Sequence, residues 1–390
     1  MALPLIYNWR NLLVRKLSTT LTFTVVTSIV AVLAVLLSFA AGIRASLGAS
    51  GSPLNVVALQ TGATAESTSI VRPDEAARLV QTPGVGRSAS GESLISQELC
   101  VQTNIPRRGP TAAQANVAVR GVDPVAFDVH PEVKMIEGRM FASGPLEVIV
   151  GKAARDRFAD LHVGGHVVMG KTSNRSYEVV GIFEAGGGAL ESEVWAGRTT
   201  LSDSFDRRFV SSVVLRLEDA AQMDAALQYI QGPVVKLKAK RELDYYSDLA
   251  SKSEEIVLLT SILITLMAIG AVFAVANTMY AAVDGRRREI AMLRTLGFSR
   301  TAIITSFIVE SLLVCLSACV VGLLASSFVS GTRQDYLSDT TWTVLAYELK
   351  MTPQIVLSAL ALATIVGVTG ALAPAVRASR TRIIEALRKA

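Results

Sequence analysis

Gly165–Thr172 reads GHVVMGKT, a literal fit to the phosphate-loop pattern G-x-x-x-x-G-K-[ST]. A working phosphate loop follows a buried strand, wraps the anion in small residues and opens a helix whose N-terminal amides face the phosphate. Here His166, Val167, Val168 and Met169 have a strand's composition, and the TSNRSYEVVGIF that follows reads as a turn and another strand. No apolar run ending in an aspartate follows to hold magnesium. The segment is therefore expected to be a β-hairpin that binds no nucleotide. His162 and His166 stand four apart on a predicted loop and strand, without the third ligand that zinc needs. Glu184, Glu191 and Glu193 flank Gly186, Gly187 and Gly188, a flexible run expected to be a solvated hairpin tip. Cys100 has no partner cysteine nearby, and Cys315 with Cys319 lies in an apolar run where small polarizable side chains serve packing. No Ser/His/Asp or Cys/His arrangement stands out. No catalytic, metal-binding or cofactor-binding residue is assigned, and the chain is not expected to be an enzyme.

The elements that would carry any function are mostly apolar. Of 390 residues 51% are hydrophobic and only 18% charged, and the mean hydropathy is +0.42, which calls for long apolar runs. No charge falls between Lys16 and Arg44, Glu255 and Asp284, or Lys350 and Arg377, and Thr301 to Thr332 is interrupted only by Glu310. Each run exceeds the roughly 20 residues that cross a bilayer as a helix. Ser38-Phe39-Ala40 resembles a signal-cleavage site, but the first run is far longer than a signal peptide's apolar stretch of about 7–15 residues. An uncleaved helix is expected.

Basic residues set the orientation. Arg10, Arg15 and Lys16 precede the first run; Arg286, Arg287, Arg288, Arg294 and Arg300 separate the second and third; Arg377, Arg380, Arg382, Arg388 and Lys389 follow the fourth. Both termini and the 284–300 segment are thus expected in the cytoplasm, and the net charge of +5 needs no nucleic acid to explain it. The predicted plan is membrane α-helical, with four transmembrane helices and a large extracytoplasmic α/β (α+β) domain between helices 1 and 2. It runs as an amphipathic lead-in (1–17), a first span (18–43), the outer domain (44–252, two lobes, with a helical stalk at about 242–255), a second span (256–283), a coupling segment (284–300), a third span (301–332), a short outer loop (333–350), a fourth span (351–376) and a tail (377–390). Within the outer domain, strands are expected at Asn55–Gln60, Val117–Val122, Glu147–Val150, Val167–Met169, Tyr177–Phe183 and Val213–Leu217. Helices are expected at Pro73–Val80 and Asp219–Ile230.

Between the second and third spans, RRREIAMLRTLGFSR combines strong helix formers with a glycine at position 297, suited to a left-handed C-cap, and with Ser299 or Thr301 to cap the next helix. Ile290, Leu293 and Gly297 fall on one side, beside Met292 and Leu296. This predicts a short amphipathic helix at the membrane surface. Gly270, Ala274 and Thr278, at i,i+4 spacing, would let helices approach closely in a dimer.

The run from Asn277 to Leu313, N-T-M…R-R-R-E-I-A-M-L-R-T-L-G-F-S-R…E-S-L-L, resembles the signature of the FtsX/MacB-type ABC-transporter permeases. The resemblance extends to the lead-in NWRNLLVRKLSTTLT, the YEVVGIF strand, the tail PAVRASRTRIIEALR and the one-plus-three placement of the spans. It implies an inner-membrane permease that works as a pair, with a second copy or a paralogue. ATP and magnesium would be bound by a separate ATP-binding cassette subunit, whose closing moves the outer domain through the spans. Arg286, Arg287, Arg288, Glu289, Met292, Leu293, Arg294 and Gly297 would form the coupling helix that meets this ATPase. Glu310 would be an intramembrane carboxylate paired with Arg294, Arg300 or the tail arginines. The implied role is export of periplasmic or membrane-derived cargo, with a periplasmic adaptor and an outer-membrane duct. The alternatives are lipoprotein release, mechanical regulation of a cell-wall enzyme, or an ATPase-independent receptor or scaffold.

Overall fold

The computed structural model describes residues 16–108, 114–172, 174–251, 254–337 and 344–380. Most of the expected lead-in and the last ten residues of the tail lie outside them. In chain order the elements are α1 (Lys16–Gly48), β1 (Asn55–Leu59), α2 (Pro73–Arg78), β2 (Ile95–Pro106), β3 (Gln114–Val122), α3 (Ala126–Val129), β4 (Lys134–Gly138), β5 (Glu147–Gly151), α4 (Lys152–Arg157), β6 (His166–Met169), β7 (Arg175–Glu184), β8 (Val194–Gly197), α5 (Arg198–Phe205), β9 (Ser212–Arg216), α6 (Met223–Gln231), β10 (Lys238–Arg241), α7 (Glu242–Ser251), α8 (Glu254–Gly285), α9 (Arg287–Thr295), α10 (Arg300–Ser327), β11 (Arg333–Leu337), β12 (Val344–Glu348) and α11 (Pro353–Ser379). They form two units, one of Met1–Ala41, Glu255–Thr332 and Leu349–Ala390, the other of Gly42–Glu254 and Arg333–Glu348.

The first unit is a helical bundle. Among the described residues four helices, Thr19–Gly48, Leu258–Gly285, Arg300–Ser327 and Pro353–Ser379, are long and apolar enough to cross a membrane. Lipid tails are as apolar as leucine, so such helices associate where small residues let backbones approach. A Cβ added at Gly322 would lie 2.8 Å from the Thr27 carbonyl oxygen of α1, and one at Gly370 would lie 2.8 Å from Val275 of α8. Cys315, Ala318 and Cys319 are fully buried, together with Ala359 and Ala363 of α11, and Ser311 Oγ donates to the Gly367 carbonyl at 2.8 Å. The cysteines are packing residues. Thr278 pairs its hydroxyl with Thr22 of α1, inside the chain, whereas a side chain at Gly270 would meet open space. Within this chain the two residues therefore face different surroundings.

The second unit is built on a mixed sheet, ordered β10-β1-β9-β2-β3-β8-β5-β7-β4, with β6 added to β7. The twelve-residue β2 changes partner midway. Ile95–Glu98 pairs with β9 and Leu99–Pro106 pairs with β3, so Glu98 marks a seam between two half-sheets. One half buries Val56, Leu79, Val213, Leu215, Ile230 and Leu237. The other buries Leu99, Val119, Val148, Phe158, Met169 and Tyr177. The face near the seam is filled by Trp195, fully buried, with ring centroids 5.7 Å from Phe127 and 5.3 Å from Phe183.

The apparent phosphate loop is a hairpin. β6 and β7 pair antiparallel from His166↔Glu178 to Met169↔Arg175, no helix follows, and Lys171 is tied to Asp206 at 3.0 Å on the surface. His162 and His166 are both exposed.

Two expectations are overturned in this unit. Of the glutamates flanking the glycine run, Glu184 is solvated as expected, with its side chain 44% exposed, but Glu191 and Glu193 are not. Gly186 and Gly187 turn the chain through positive φ (+61° and +77°), so that Glu191 accepts from the Ala185 and Gly187 amides at 2.9 and 2.7 Å. Glu191 is thereby buried with its charge bonded, and Glu193 is buried against Arg120 and Trp195 Nε1. The expected loop at 333–350 instead forms the hairpin β11–β12, which belongs to this unit. Its end lies so close to Gly42 that an added Cβ would sit 2.4 Å from the Glu348 carbonyl oxygen. The hairpin's mixed polar and apolar residues show no strand alternation; its strands hold each other through backbone pairing, which composition does not display.

Trp195→Ala should lower the stability of this unit by about 3–5 kcal/mol. The loss should appear as a lower denaturation midpoint in near-ultraviolet circular dichroism of the detergent-solubilised protein.

Candidate functional site

The RRREIAMLRTLGFSR segment folds as a helix with a specific stop. α9 begins after Arg286, whose carbonyl accepts from Ile290 N at 2.9 Å. At its end Gly297, at φ +92°, allows Phe298 N to donate to the Leu293 carbonyl and Gly297 N to the Arg294 carbonyl, at 3.1 and 3.2 Å. These are the paired bonds of a Schellman cap. Ser299 then caps α10, its hydroxyl accepting from Ala302 N at 3.1 Å. The corner between two spans is thus built from hydrogen-bonded turns rather than loose chain.

The two faces of α9 differ. Ile290 and Ala291 are buried, and Ile290 joins the bundle core. Met292 and Leu296 are 51% and 75% exposed, beside the exposed Arg287, Arg288 and Glu289, while Leu293 and Arg294 are half-buried. Arg287 is paired with Asp284 at 2.8 Å on the surface.

Arg286 departs from expectation. It does not face outward. Its guanidinium makes a two-pronged pair with Glu310, Nη1 to Oε2 at 2.8 Å and Nη2 to Oε1 at 3.0 Å, with both side chains buried. It also lies over the Phe307 ring, 6.0 Å from the centroid. The partners expected for Glu310 were Arg294, Arg300 or the tail arginines. Arg300 is ten residues below Glu310 on the same helix, about 15 Å along the axis. Arg286 stands where α8 ends and the chain doubles back, which brings it beside the middle of α10. Buried ionised groups demand such a partner. A second tie joins Arg377 of α11 to the Tyr280 ring of α8, at 5.6 Å.

A further cluster, in the outer unit, escaped sequence reasoning. Arg120 of β3, 3% exposed, donates to three carboxylates. Its Nε and Nη2 reach Glu193 at 2.7 and 2.8 Å. Its Nη1 reaches Glu98 at 2.5 Å, and Nη1 and Nη2 both reach Glu66 at 3.0 Å. Ser212 donates to Glu66 at 2.6 Å and Trp195 Nε1 to Glu193 at 2.9 Å. His130 Nε2 lies 2.9 Å from Glu98. Burial would raise the Glu98 carboxyl, but His130 and Arg120 outweigh it and hold it at about 2. Burial would lower His130, but Glu98 and Glu132 hold its imidazolium well above the ordinary range. One signal was legible. Arg120 and Glu98 are charges inside otherwise strand-like runs, VAVRGV and ISQELCV, where an ionised group must find a buried partner. Their partners come from distant elements and share no spacing.

The family models that match this chain agree with this architecture. A family model described as the MacB-like periplasmic core domain matches residues 19–232, and one described as FtsX-like permease C-terminal matches residues 261–383. A macrolide export ATP-binding/permease protein MacB of Paracoccus denitrificans is 28% identical over 301 residues, covering 73% of this chain and 43% of that protein. A MacB of Neisseria meningitidis serogroup A is 24% identical over 288 residues, covering 68% of this chain and 42% of that protein. The chain thus spans less than half the length of these relatives. The crystal structure of the periplasmic region of MacB from Actinobacillus actinomycetemcomitans covers 51% of this chain and 94% of that one, at 12% identity and a TM-score of 0.37.

Glu310→Gln, which leaves Arg286 buried without a counter-charge, should destabilise the detergent-solubilised protein by about 3–5 kcal/mol. The double variant Arg286→Met with Glu310→Met should stay near wild type, because an apolar pair of similar volume removes both charges together. Thermal unfolding of the three proteins side by side checks the difference.

Proposed function

This chain belongs to the FtsX/MacB-type ABC-transporter permeases, multi-pass inner-membrane proteins, and we propose that it couples ATP hydrolysis on a separate ATP-binding cassette subunit to movement of its periplasmic domain. That movement drives export of periplasmic or membrane-derived cargo. The permease works as a pair, with a second copy or a paralogue, alongside a periplasmic adaptor and an outer-membrane duct. ATP and magnesium sit on the cassette subunit. The positive-inside rule supports cytoplasmic termini and a cytoplasmic α9, since Arg286, Arg287, Arg288, Arg294 and Arg300 cluster there.

The observation that carries this reading is the construction of α9. It is stopped at one end by the Gly297 turn and fastened to α10 at the other by Arg286–Glu310. It still presents Met292 and Leu296 outward, with Arg287, Arg288 and Glu289 around them. A helix held this firmly transmits a push instead of absorbing it. The docking set narrows accordingly to Arg287, Arg288, Glu289, Met292 and Leu296. Arg286 and Glu310 anchor the helix, Leu293 and Arg294 back it, and Gly297 shapes its end.

Burying a methionine or leucine side chain contributes about 1.5–3 kcal/mol. Met292→Asp with Leu296→Asp should therefore weaken capture of the cassette subunit by more than about 100-fold and remove stimulation of its ATP hydrolysis in proteoliposomes. Membrane insertion should be unaffected. Full stimulation by that variant would sink the docking assignment. Recovery of no cassette subunit with the wild-type protein from native membranes would count against coupling itself.

A further inference from the structure

The first turn of α7 is plugged into the Arg120 cluster. Glu242, 1% exposed, accepts from the Ser52 amide on Oε2 at 2.8 Å, and its Oε1 lies 3.7 Å from His130 Nδ1. The Tyr245 hydroxyl accepts from the Glu66 amide at 3.1 Å, and Tyr246 is buried beside it, its ring centroid 5.3 Å from that of Tyr245. Gly51, at φ +96°, passes so close that an added Cβ would meet Glu242 and Tyr246 at 3.0 and 3.1 Å. The chain leaving α1 and the helix opening at Glu242 therefore meet on one buried carboxyl group, beside the seam where β2 changes partners.

That meeting place has too much negative charge. Glu66, Glu98, Glu132, Glu193 and Glu242 gather around Arg120 and His130. Arg216, a further nearby cation, directs Nη1 to Ser52, Asn55 and the Val129 carbonyl, and Lys134 and Lys152 line the cavity that Ser52 and Glu132 also line. Fully ionised, the four buried carboxylates Glu66, Glu98, Glu193 and Glu242 would face two buried cations, Arg120 and His130, a surplus that burial does not sustain. Glu66, Glu98 and Glu193 each bond directly to Arg120, and Glu132 is 24% exposed. Glu242 has a backbone amide and a histidine beyond hydrogen-bond length. It is the member least able to stay charged.

We propose that Glu242 is a positioning residue that holds a proton, and in that state clamps α7 to the Arg120–His130 cluster, releasing it on ionisation. The bearing of this clamp on transport rests on the coupling reading; the clamp itself does not. Burial pushes the Glu242 carboxyl up, His130 and the Ser52 amide pull it down, and Glu132 and Glu98 add to the rise. The neutral form thus fits the folded state, and its stabilisation is lost as pH rises through the raised value. His130, also raised, loses its contribution in the same direction. The contribution of Glu98 is lost only as pH falls through about 2, far from that change.

The test is hydrogen exchange of the full chain in nanodiscs from about pH 5 to about pH 9, spanning the ordinary histidine range and raised carboxyl values, corrected for intrinsic exchange rates. Protection of the amides in 242–251 should fall at least about tenfold with rising pH, while β8 stays unchanged. Glu242→Gln, neutral and still able to accept from Ser52, should keep α7 protected throughout. A flat wild-type profile, or a variant that follows wild type, overturns the clamp. Infrared spectra of the unaltered protein give a second arm that needs no variant to fold. Glutamate-labelled protein should show a buried protonated carboxyl band that disappears over the same pH interval, and its absence at the acid end overturns the proposal. Neither readout involves an ATPase, so failure here leaves the coupling reading to its own experiment.

Discussion

Moving an ionised group out of water is expensive enough that the fold must bring a counter-charge to the same spot. Each of the two units is organised around one answer to that demand. In the bundle, Glu310 is buried on α10 and Arg286 reaches it from the junction of α8 and α9. In the outer unit, Arg120 is buried at the seam of the sheet and draws carboxylates from the turn after β1, from β2 and from the approach to β8. Remove Arg286 and Glu310 loses its counter-charge; remove Arg120 and Glu66 and Glu193 lose theirs, while Glu98 keeps His130. Neither group can be moved without carrying its partners along.

This constraint explains why parts that look like connectors are well defined. α9 could have been a loose loop at the membrane surface. Instead its start is held by the Arg286–Glu310 pair, its middle by Ile290 in the core and its end by the Gly297 turn. The hairpin β11–β12 and the glycine loop at 186–188 are likewise not free. One closes on Gly42, and the other wraps its amides around Glu191. Stiff connectors suit the motion-transmitting role proposed above, because a compliant joint would dissipate the displacement it receives.

Local rules read the elements well wherever one segment contained its own reason. The strands at Asn55, Glu147 and Tyr177, the proline-started helix at Pro73 and the Gly297 stop were all legible, since β-branched runs, capping residues and glycine act within a few positions. The false phosphate loop was legible for the same reason: the strand-like His166–Met169 run and the second strand after it leave no place for the helix that a phosphate site needs. β2 was missed because its polar residues, Ser96, Glu98, Gln102 and Asn104, break the apolar pattern; two of them, Ser96 and Glu98, are fully buried at the seam.

What this sequence determined unaided is what depends on run length and charge placement. Four apolar helices, the insertion of a large domain after the first, and a basic helical corner between the second and third all follow from residues adjacent in the chain. What only the tertiary structure decided is which charges meet. Arg286 finds Glu310 across 24 positions, and Arg120 finds Glu66 across 54. Electrostatic pairing depends on distance in space, and distance along the chain carries almost none of that information. Arg286, expected to meet a partner from the surface of α9, therefore proved to be the buried anchor of that helix.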